Sequence, residues 1–180
     1  MFVSTTPKAS TTPDQNRDYQ IKKAALGIGV GVTVAAASLL FVKGWEGERR
    51  TPYLDIVGVP TVCFGHTGGT LEMGRTYSQE ECERLLVGDM QLHVEVMMRY
   101  IKVPLSEGEM TAYSSLVFNI GVNAFSRSTL LGLLNANQRV AACKQLLLWV
   151  KAGGKVVRGL QRRRAAEYEL CISKPPSRLA

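Results

Sequence analysis

Glu46, Asp55 and Thr61 are the residues of this 180-residue chain whose types and spacing point to chemistry. Glu46 sits in Gly44-Trp45-Glu46-Gly47, Asp55 follows nine positions on in Tyr53-Leu54-Asp55, and Thr61 six after that. Cleaving a glycosidic bond calls for two carboxyl groups in unlike surroundings. One keeps a proton to give to the leaving oxygen. The other stays ionised to activate water or to stabilise an oxocarbenium ion. Glu46 lies where a helical run gives way to strand-like sequence, beside an aromatic ring, which suits the first role. Asp55 lies in a polar hairpin, which suits the second. Taken alone the pair carries little weight, because two solvated surface carboxylates are the ordinary arrangement. The residues around the pair give it meaning.

The elements that must position these residues are legible around them. Residues 51–64, TPYLDIVGVPTVCF, are rich in Val, Ile, Tyr and Thr, with Gly58 and two prolines as breakers. They predict a small antiparallel hairpin or meander. Ser78-x-x-Glu81 is a capping box that opens a helix carrying Leu85, Leu86, Met90, Val94, Met97 and Ile101. Ser106-x-x-Glu109 opens another, with Ala112, Leu116 and Val117 turned inward, and Ser128 caps a third. Residues 138–150 form an amphipathic run that ends at Ala152-Gly153-Gly154, and 160–171 form a last helix. The fold class is therefore α+β, mainly helical with a small hairpin lobe. No internal repeat is present.

Ahead of this domain, residues 1–23 form a polar head rich in Ser, Thr, Pro and Gln, without apolar period. Residues 24–42, AALGIGVGVTVAAASLLFV, are nineteen positions without a charge. As a helix they reach roughly 28 Å, about one hydrocarbon core. Three readings compete. A cleavable signal peptide has a shorter apolar core, and cleavage after Ala35-Ala36-Ala37 would strand Leu39-Leu40-Phe41-Val42. A permanent anchor draws its insertion energy from Leu, Ile and Phe, which are sparse here. A buried soluble helix is penalised by Gly27, Gly29 and Gly31, at about 1 kcal/mol each against Ala. What fits is a marginal span, long enough to insert and weak enough to leave. Lys8, Arg17, Lys22 and Lys23 precede it, so the head is expected in the cytoplasm and the larger part exported. Gly27-x-x-x-Gly31 is a weak helix-pairing signal.

The formal charge of +7 favours anionic partners without choosing among them. Six basic residues and no acid lie between Lys151 and Ala166, a face suited to an anionic wall or to plain solvation. The four cysteines, Cys63, Cys82, Cys143 and Cys171, lack the close pairing of a zinc ribbon or a CxxC site, so no metal or cofactor is expected. Their even number permits two disulfides in an exported chain, and buried thiols in a cytosolic one.

With these residues in hand, the sequence resembles the phage lysozymes, muramidase endolysins with a Glu, eight residues, Asp, five residues, Thr pattern. Glu46, Asp55 and Thr61 fit that spacing without a gap, flanked by Gly47, Tyr53, Gly58 and Gly65-His66. The resemblance runs from about residue 43 to 171. It implies a lysozyme-like catalytic domain over 43–172, with a flexible tail at 173–180. Glu46 would be the general acid, Asp55 would position or activate water, and Thr61 would hold that water. His66 would pair with Asp89 and brace the hairpin against the first helix of the main lobe, whereas His93 has no such match and is expected exposed. Asn119, in Phe118-Asn119-Ile120-Gly121, matches a cleft amide suited to a sugar N-acetyl group; a helix-end amide satisfying backbone is as good a reading. Trp149 is a second cleft candidate, set against a core position. Arg162 matches an arginine that pairs with the catalytic Glu, the register within Arg162-Arg163-Arg164 being open.

Cys63 stands where many relatives have Gly, and relatives with Cys there tend to have one at the Cys82 position. The resemblance thus implies a Cys63–Cys82 disulfide, with Cys143–Cys171 as the second. The N-terminal part resembles the signal-anchor-release endolysins, whose weakly apolar helix tethers the enzyme to the host inner membrane and later slips out, freeing it in the periplasm. Their anchors in some cases carry a regulatory cysteine; residues 24–42 carry none, so control is expected to be topological. The substrate implied is bacterial peptidoglycan, with no nucleic-acid partner and a monomer after release. Two rivals stand beside hydrolysis. A lytic transglycosylase would need only Glu46, and a wall-binding or membrane-permeabilising module would need neither carboxylate.

Overall fold

The computed structural model describes residues 31–55, 58–68 and 71–173. The polar head, residues 24–30 of the apolar segment and residues 174–180 of the tail lie outside the described residues. From Val34 onward the chain forms one compact unit. The first described element is α1 (Gly31–Lys43), followed by β1 (Arg49–Leu54), β2 (Pro60–Cys63) and β3 (His66–Thr67). These three strands form an antiparallel meander in the order β1-β2-β3, with Tyr53 opposite Thr61 and Val62 opposite His66. The helices are α2 (Gln79–Met98), α3 (Glu107–Ile120), α4 (Val122–Ser126), α5 (Thr129–Asn135), α6 (Arg139–Gln145) and α7 (Arg158–Ile172). A short 3-10 turn, Leu146–Leu148, and a second hairpin, β4 (Lys151–Ala152) with β5 (Lys155–Val156), separate α6 from α7.

Both predicted capping boxes form. Glu81 N–H donates to Ser78 Oγ, and Ser78 N–H to Glu81 Oε2 at 2.8 Å. Ser106 and Glu109 repeat the exchange at 3.1 and 2.8 Å. Each satisfies two backbone donors that a helix start leaves open. Ser128 caps α5 through the Leu131 N–H. The run predicted over 138–150 ends early: α6 stops at Gln145, and Gly153 and Gly154 turn the chain into the β4–β5 hairpin, both with positive φ. A two-residue turn of that hand needs positive φ at both central positions, which glycine adopts freely.

Two cores result, and α2 joins them. Near its start, Cys82, Leu86 and Met90 pack with Val42, Val62, Phe64 and Tyr77 under the meander. Near its end, Met97 packs with Tyr113, Leu116, Phe125, Leu130 and Leu134 in the helical lobe. Val42 at the end of α1 is fully buried and Lys43 pairs with Glu83 of α2, so the last turns of the apolar segment are part of the meander lobe. Among the described residues no helix is long and apolar enough to cross a membrane. In the helical lobe, α3 and α7 approach closely at Gly108, where a Cβ would meet the Leu170 carbonyl oxygen at 2.1 Å.

Cys63 is bonded to Cys82, and Cys143 to Cys171. Cys63 has φ of 58°, the left-handed conformation that costs an L-residue roughly 1–2 kcal/mol and suits glycine. The first bridge ties β2 to α2; the second ties α6 to α7. Closing loops of 19 and 28 residues is worth about 3 kcal/mol each in the chain-entropy view. Replacing either pair by serines is expected to lower the melting temperature by roughly 6–12 °C. A calorimetric scan showing no drop for both pairs would contradict this.

Candidate active site

Glu46 hangs from the end of α1. Its backbone N–H donates to the Val42 carbonyl at 3.1 Å, as does that of Trp45 at 2.9 Å. The Trp45 ring stacks at a tilt on Phe41, with centroids 6.1 Å apart. Trp45 and Glu46 line a pocket of about 520 Å³ together with Asn119, Val157, Leu160, Arg162 and Arg163. The carboxylate accepts a charge-assisted hydrogen bond of 2.6 Å from Arg163 Nη1. That corrects the expectation for Arg162, which lies exposed at the pocket wall. Successive helical residues are about 100° apart, so only one of three adjacent arginines can face Glu46. In α7 that one is Arg163, on the buried face.

Behind Arg163 stands a buried ionic cluster. Arg163, Arg164 and Glu167 are all but removed from solvent, at 4%, 0% and 0% exposure. Arg163 Nε lies 3.3 Å from Glu167 Oε1, and Arg164 Nε lies 3.0 Å from Glu167 Oε2. Ser115 of α3 donates to Glu167 Oε1 at 2.6 Å and accepts from Arg163 at 3.2 Å. Burial pushes the Glu167 carboxyl up, and the guanidinium of Arg164, the Ser115 hydroxyl and Arg163 pull it back. Burial lowers Arg164 to about 10, with the like charge of Arg163 adding to it and Glu167 and Glu46 opposing it. Glu167 and Ser115 are not legible in the sequence as site residues, and Arg164 enters there only as one register of the Glu46 partner. The spacing of Arg163 and Glu167, four apart on a helix, was the available signal.

Asp55 and Thr61 are not among the residues lining the Glu46 pocket. They are held together on the meander that begins three residues after Glu46. Asp55 closes the β1–β2 turn: its Oδ1 accepts from the Val59 N–H at 2.8 Å, and its backbone pairs with Val59 and Gly58. Thr61 is buried, and its hydroxyl donates to the Val59 carbonyl at 3.0 Å. A hydroxyl donating in this way keeps its lone pairs for a water.

His66 Nδ1 lies 2.8 Å from Asp89 Oδ2, joining β3 to α2 as expected. His93 is half-buried rather than exposed: its Nδ1 bonds the Asp89 carbonyl at 2.7 Å and its ring packs on Phe118 at 5.5 Å. Asn119 is exposed at the pocket, and its Oδ1 accepts from Arg164 Nη2 at 3.2 Å, so a side chain rather than backbone satisfies it. Trp149 does not line the Glu46 pocket. It packs against the helical core and borders a separate pocket of about 270 Å³ with Gln145 and Leu148. The break of the helical run at Leu146 re-aims it. Among the described residues no group of three or more His, Cys, Asp or Glu side chains is placed to hold a metal ion.

Residues 43–167 match the family described as Phage lysozyme. The chain is 42% identical over 156 residues to the SAR-endolysin of Enterobacteria phage P21, covering 84% of this chain and 94% of that one. It is 47% identical over 144 residues to the SAR-endolysin of Escherichia phage Mu, covering 80% and 82%. The muramidase domain of SpmX from Asticaccaulis excentricus superposes with a TM-score of 0.71 at 29% identity, covering 77% of this chain and 96% of that one. The chain therefore belongs to the phage lysozyme family, and it is a lysozyme-type glycoside hydrolase and a phage SAR-endolysin.

Proposed function

We propose that the protein hydrolyses the β-1,4 bond between N-acetylmuramic acid and N-acetylglucosamine in bacterial peptidoglycan and so lyses the host. The observation that carries this reading is Glu46 at the pocket wall, gripped by Arg163 at 2.6 Å beside an aromatic ring. Glu46 protonates the glycosidic oxygen as the bond breaks. Asp55, its carboxylate fixed by the Val59 N–H, takes the second role and directs water to the sugar. Thr61 holds that water with the lone pairs its bond to Val59 leaves free. His66 and Asp89 keep the meander seated on α2. The Asn119 amide meets an N-acetyl group of the glycan.

The chain starts in the host inner membrane through residues 24–42, with residues 1–23 in the cytoplasm, and works in the periplasm as a monomer once the segment leaves the bilayer. The family to which it belongs and the SAR-endolysins it resembles support this order of events. Product chemistry tests the reaction. Digestion of purified peptidoglycan by the full-length chain is expected to yield reducing ends that borohydride converts to alditols. A product set of 1,6-anhydro ends would make the protein a transglycosylase and overturn hydrolysis.

A further inference from the structure

Glu167 touches no solvent, yet each residue it holds reaches a residue of the pocket wall. Arg163 extends from it to Glu46 at 2.6 Å, and Arg164 extends from it to Asn119 at 3.2 Å. Both guanidiniums start from the same carboxylate, one at each oxygen. Ser115 fixes the junction from α3 by bonding Glu167 and Arg163 at once. We infer that Glu167 is a positioning residue that, through Arg163 and Arg164, sets both the charge felt by Glu46 and the orientation of the Asn119 amide. This inference rests on the reading of Glu46 as the catalytic acid.

Stability alone does not call for a carboxylate with two guanidiniums at this depth, because well-packed apolar side chains of similar volume do as well or better. What ions add is direction. A guanidinium is a rigid planar fork, so holding one edge fixes where the other points. Arg163 held by Glu167 and Ser115 presents Nη1 to Glu46. Arg164, ion-paired with Glu167 Oε2 at 3.0 Å, donates from Nη2 to Asn119 Oδ1, which leaves the Asn119 NH₂ as a donor for a carbonyl such as that of an acetamido group. The charges facing Glu167 are Arg163 and Arg164 on its own helix, with the Ser115 hydroxyl from α3. Glu46 faces Arg163, shares the pocket wall with Arg162, and interacts at longer range with Arg164.

The test uses the full-length chain on soluble, uncrosslinked peptidoglycan strands, with kcat, KM and the pH dependence of kcat measured for E167Q, R164Q and E46Q. In E167Q the amide keeps the Ser115 contact, but the charge of Arg163 then bears on Glu46 alone. The alkaline limb of kcat is expected to move down by about one pH unit, a shift that one nearby charge can cause. In R164Q the limb is expected to move up, and KM to rise about fivefold as Asn119 loses a hydrogen bond of ordinary strength. A purely structural cluster would lower the melting temperature while leaving limb and KM in place. If E167Q does not fold, R164Q together with R164Q/E167Q, which removes one charge of each sign, carries the test: KM raised in both, with the limb of the double variant back near wild type. Wild-type limb and KM in R164Q and in either variant of Glu167 would overturn the inference. E46Q separates the two levels: an active E46Q removes the reading of Glu46 and this inference with it, whereas an inactive E46Q beside unchanged R164Q and E167Q removes only this inference.

Discussion

Glu46→Gln is expected to slow peptidoglycan hydrolysis by about 10³-fold or more, with the fold intact. General acid catalysis contributes about 10²–10⁴ in rate, and the leaving oxygen of a sugar departs poorly without a proton. A 10³-fold loss corresponds to about 4 kcal/mol of transition-state stabilisation. Glutamine has nearly the same shape, and its Oε1 can still accept from Arg163 Nη1, so the pocket wall keeps its geometry. Glu167 remains beside Arg163 to offset its charge, so the variant is expected to stay folded. Turbidity clearing of outer-membrane-permeabilised cells gives the rate, and thermal denaturation gives the control. Clearing at more than a tenth of the wild-type rate by a folded Glu46→Gln protein would sink the assignment. It would equally favour a module that acts without hydrolysis.

Some of this architecture was legible because it depends on contacts close in sequence. A capping box spans four residues, and both Ser78–Glu81 and Ser106–Glu109 form as read. The meander follows from β-branched residues between breakers, and Gly58 takes the positive φ its turn requires. The Cys63–Cys82 and Cys143–Cys171 bridges and the His66–Asp89 pair span 19 to 28 residues, and they came from resemblance rather than from local rules.

What was not legible depends on rotation and on distant partners. Arg162, Arg163 and Arg164 are chemically alike, and a shift of one residue turns a helix by about 100°. Only packing of α7 on α3 chooses Arg163 for Glu46, and that packing rests partly on the near contact at Gly108. The buried carboxylate at Glu167 reads in sequence as one more surface glutamate. Trp149 sits on a helical pattern that breaks at Leu146, where a 3-10 turn replaces the α-helix, and periodicity does not show that break. The sequence allows the Asn119 amide a sugar or a backbone partner, and the arginine 45 residues away that its Oδ1 accepts from is not legible there.

Strengthening residues 24–42 as an anchor is expected to hold the chain in the membrane fraction and delay lysis. In the proposed sequence of events the segment is metastable in the bilayer because Gly27, Gly29, Gly31 and Thr33 stand where a permanent anchor would carry Leu. Each Leu contributes about −0.5 kcal/mol to insertion. Three such replacements, at Gly27, Gly29 and Thr33, add at least 1.4 kcal/mol, a tenfold shift toward the membrane. The loss of the segment also has a structural price for the enzyme. Val42 is fully buried with Val62, Phe64 and Leu86, Ser38 is 2% exposed, and Lys43 pairs with Glu83. A bilayer that holds the segment in place therefore withholds part of the core beneath the meander that carries Asp55 and Thr61. Glu46 lies four residues beyond Val42 and is tied to it by a backbone hydrogen bond, so the acid is subject to the same constraint. The triple Leu variant should remain in the membrane fraction and delay lysis, while wild type becomes soluble in the periplasm. Fractionation with immunodetection measures the first, and culture turbidity the second. A triple Leu variant that is released in full and lyses on the wild-type schedule would show that the composition of 24–42 does not govern activation.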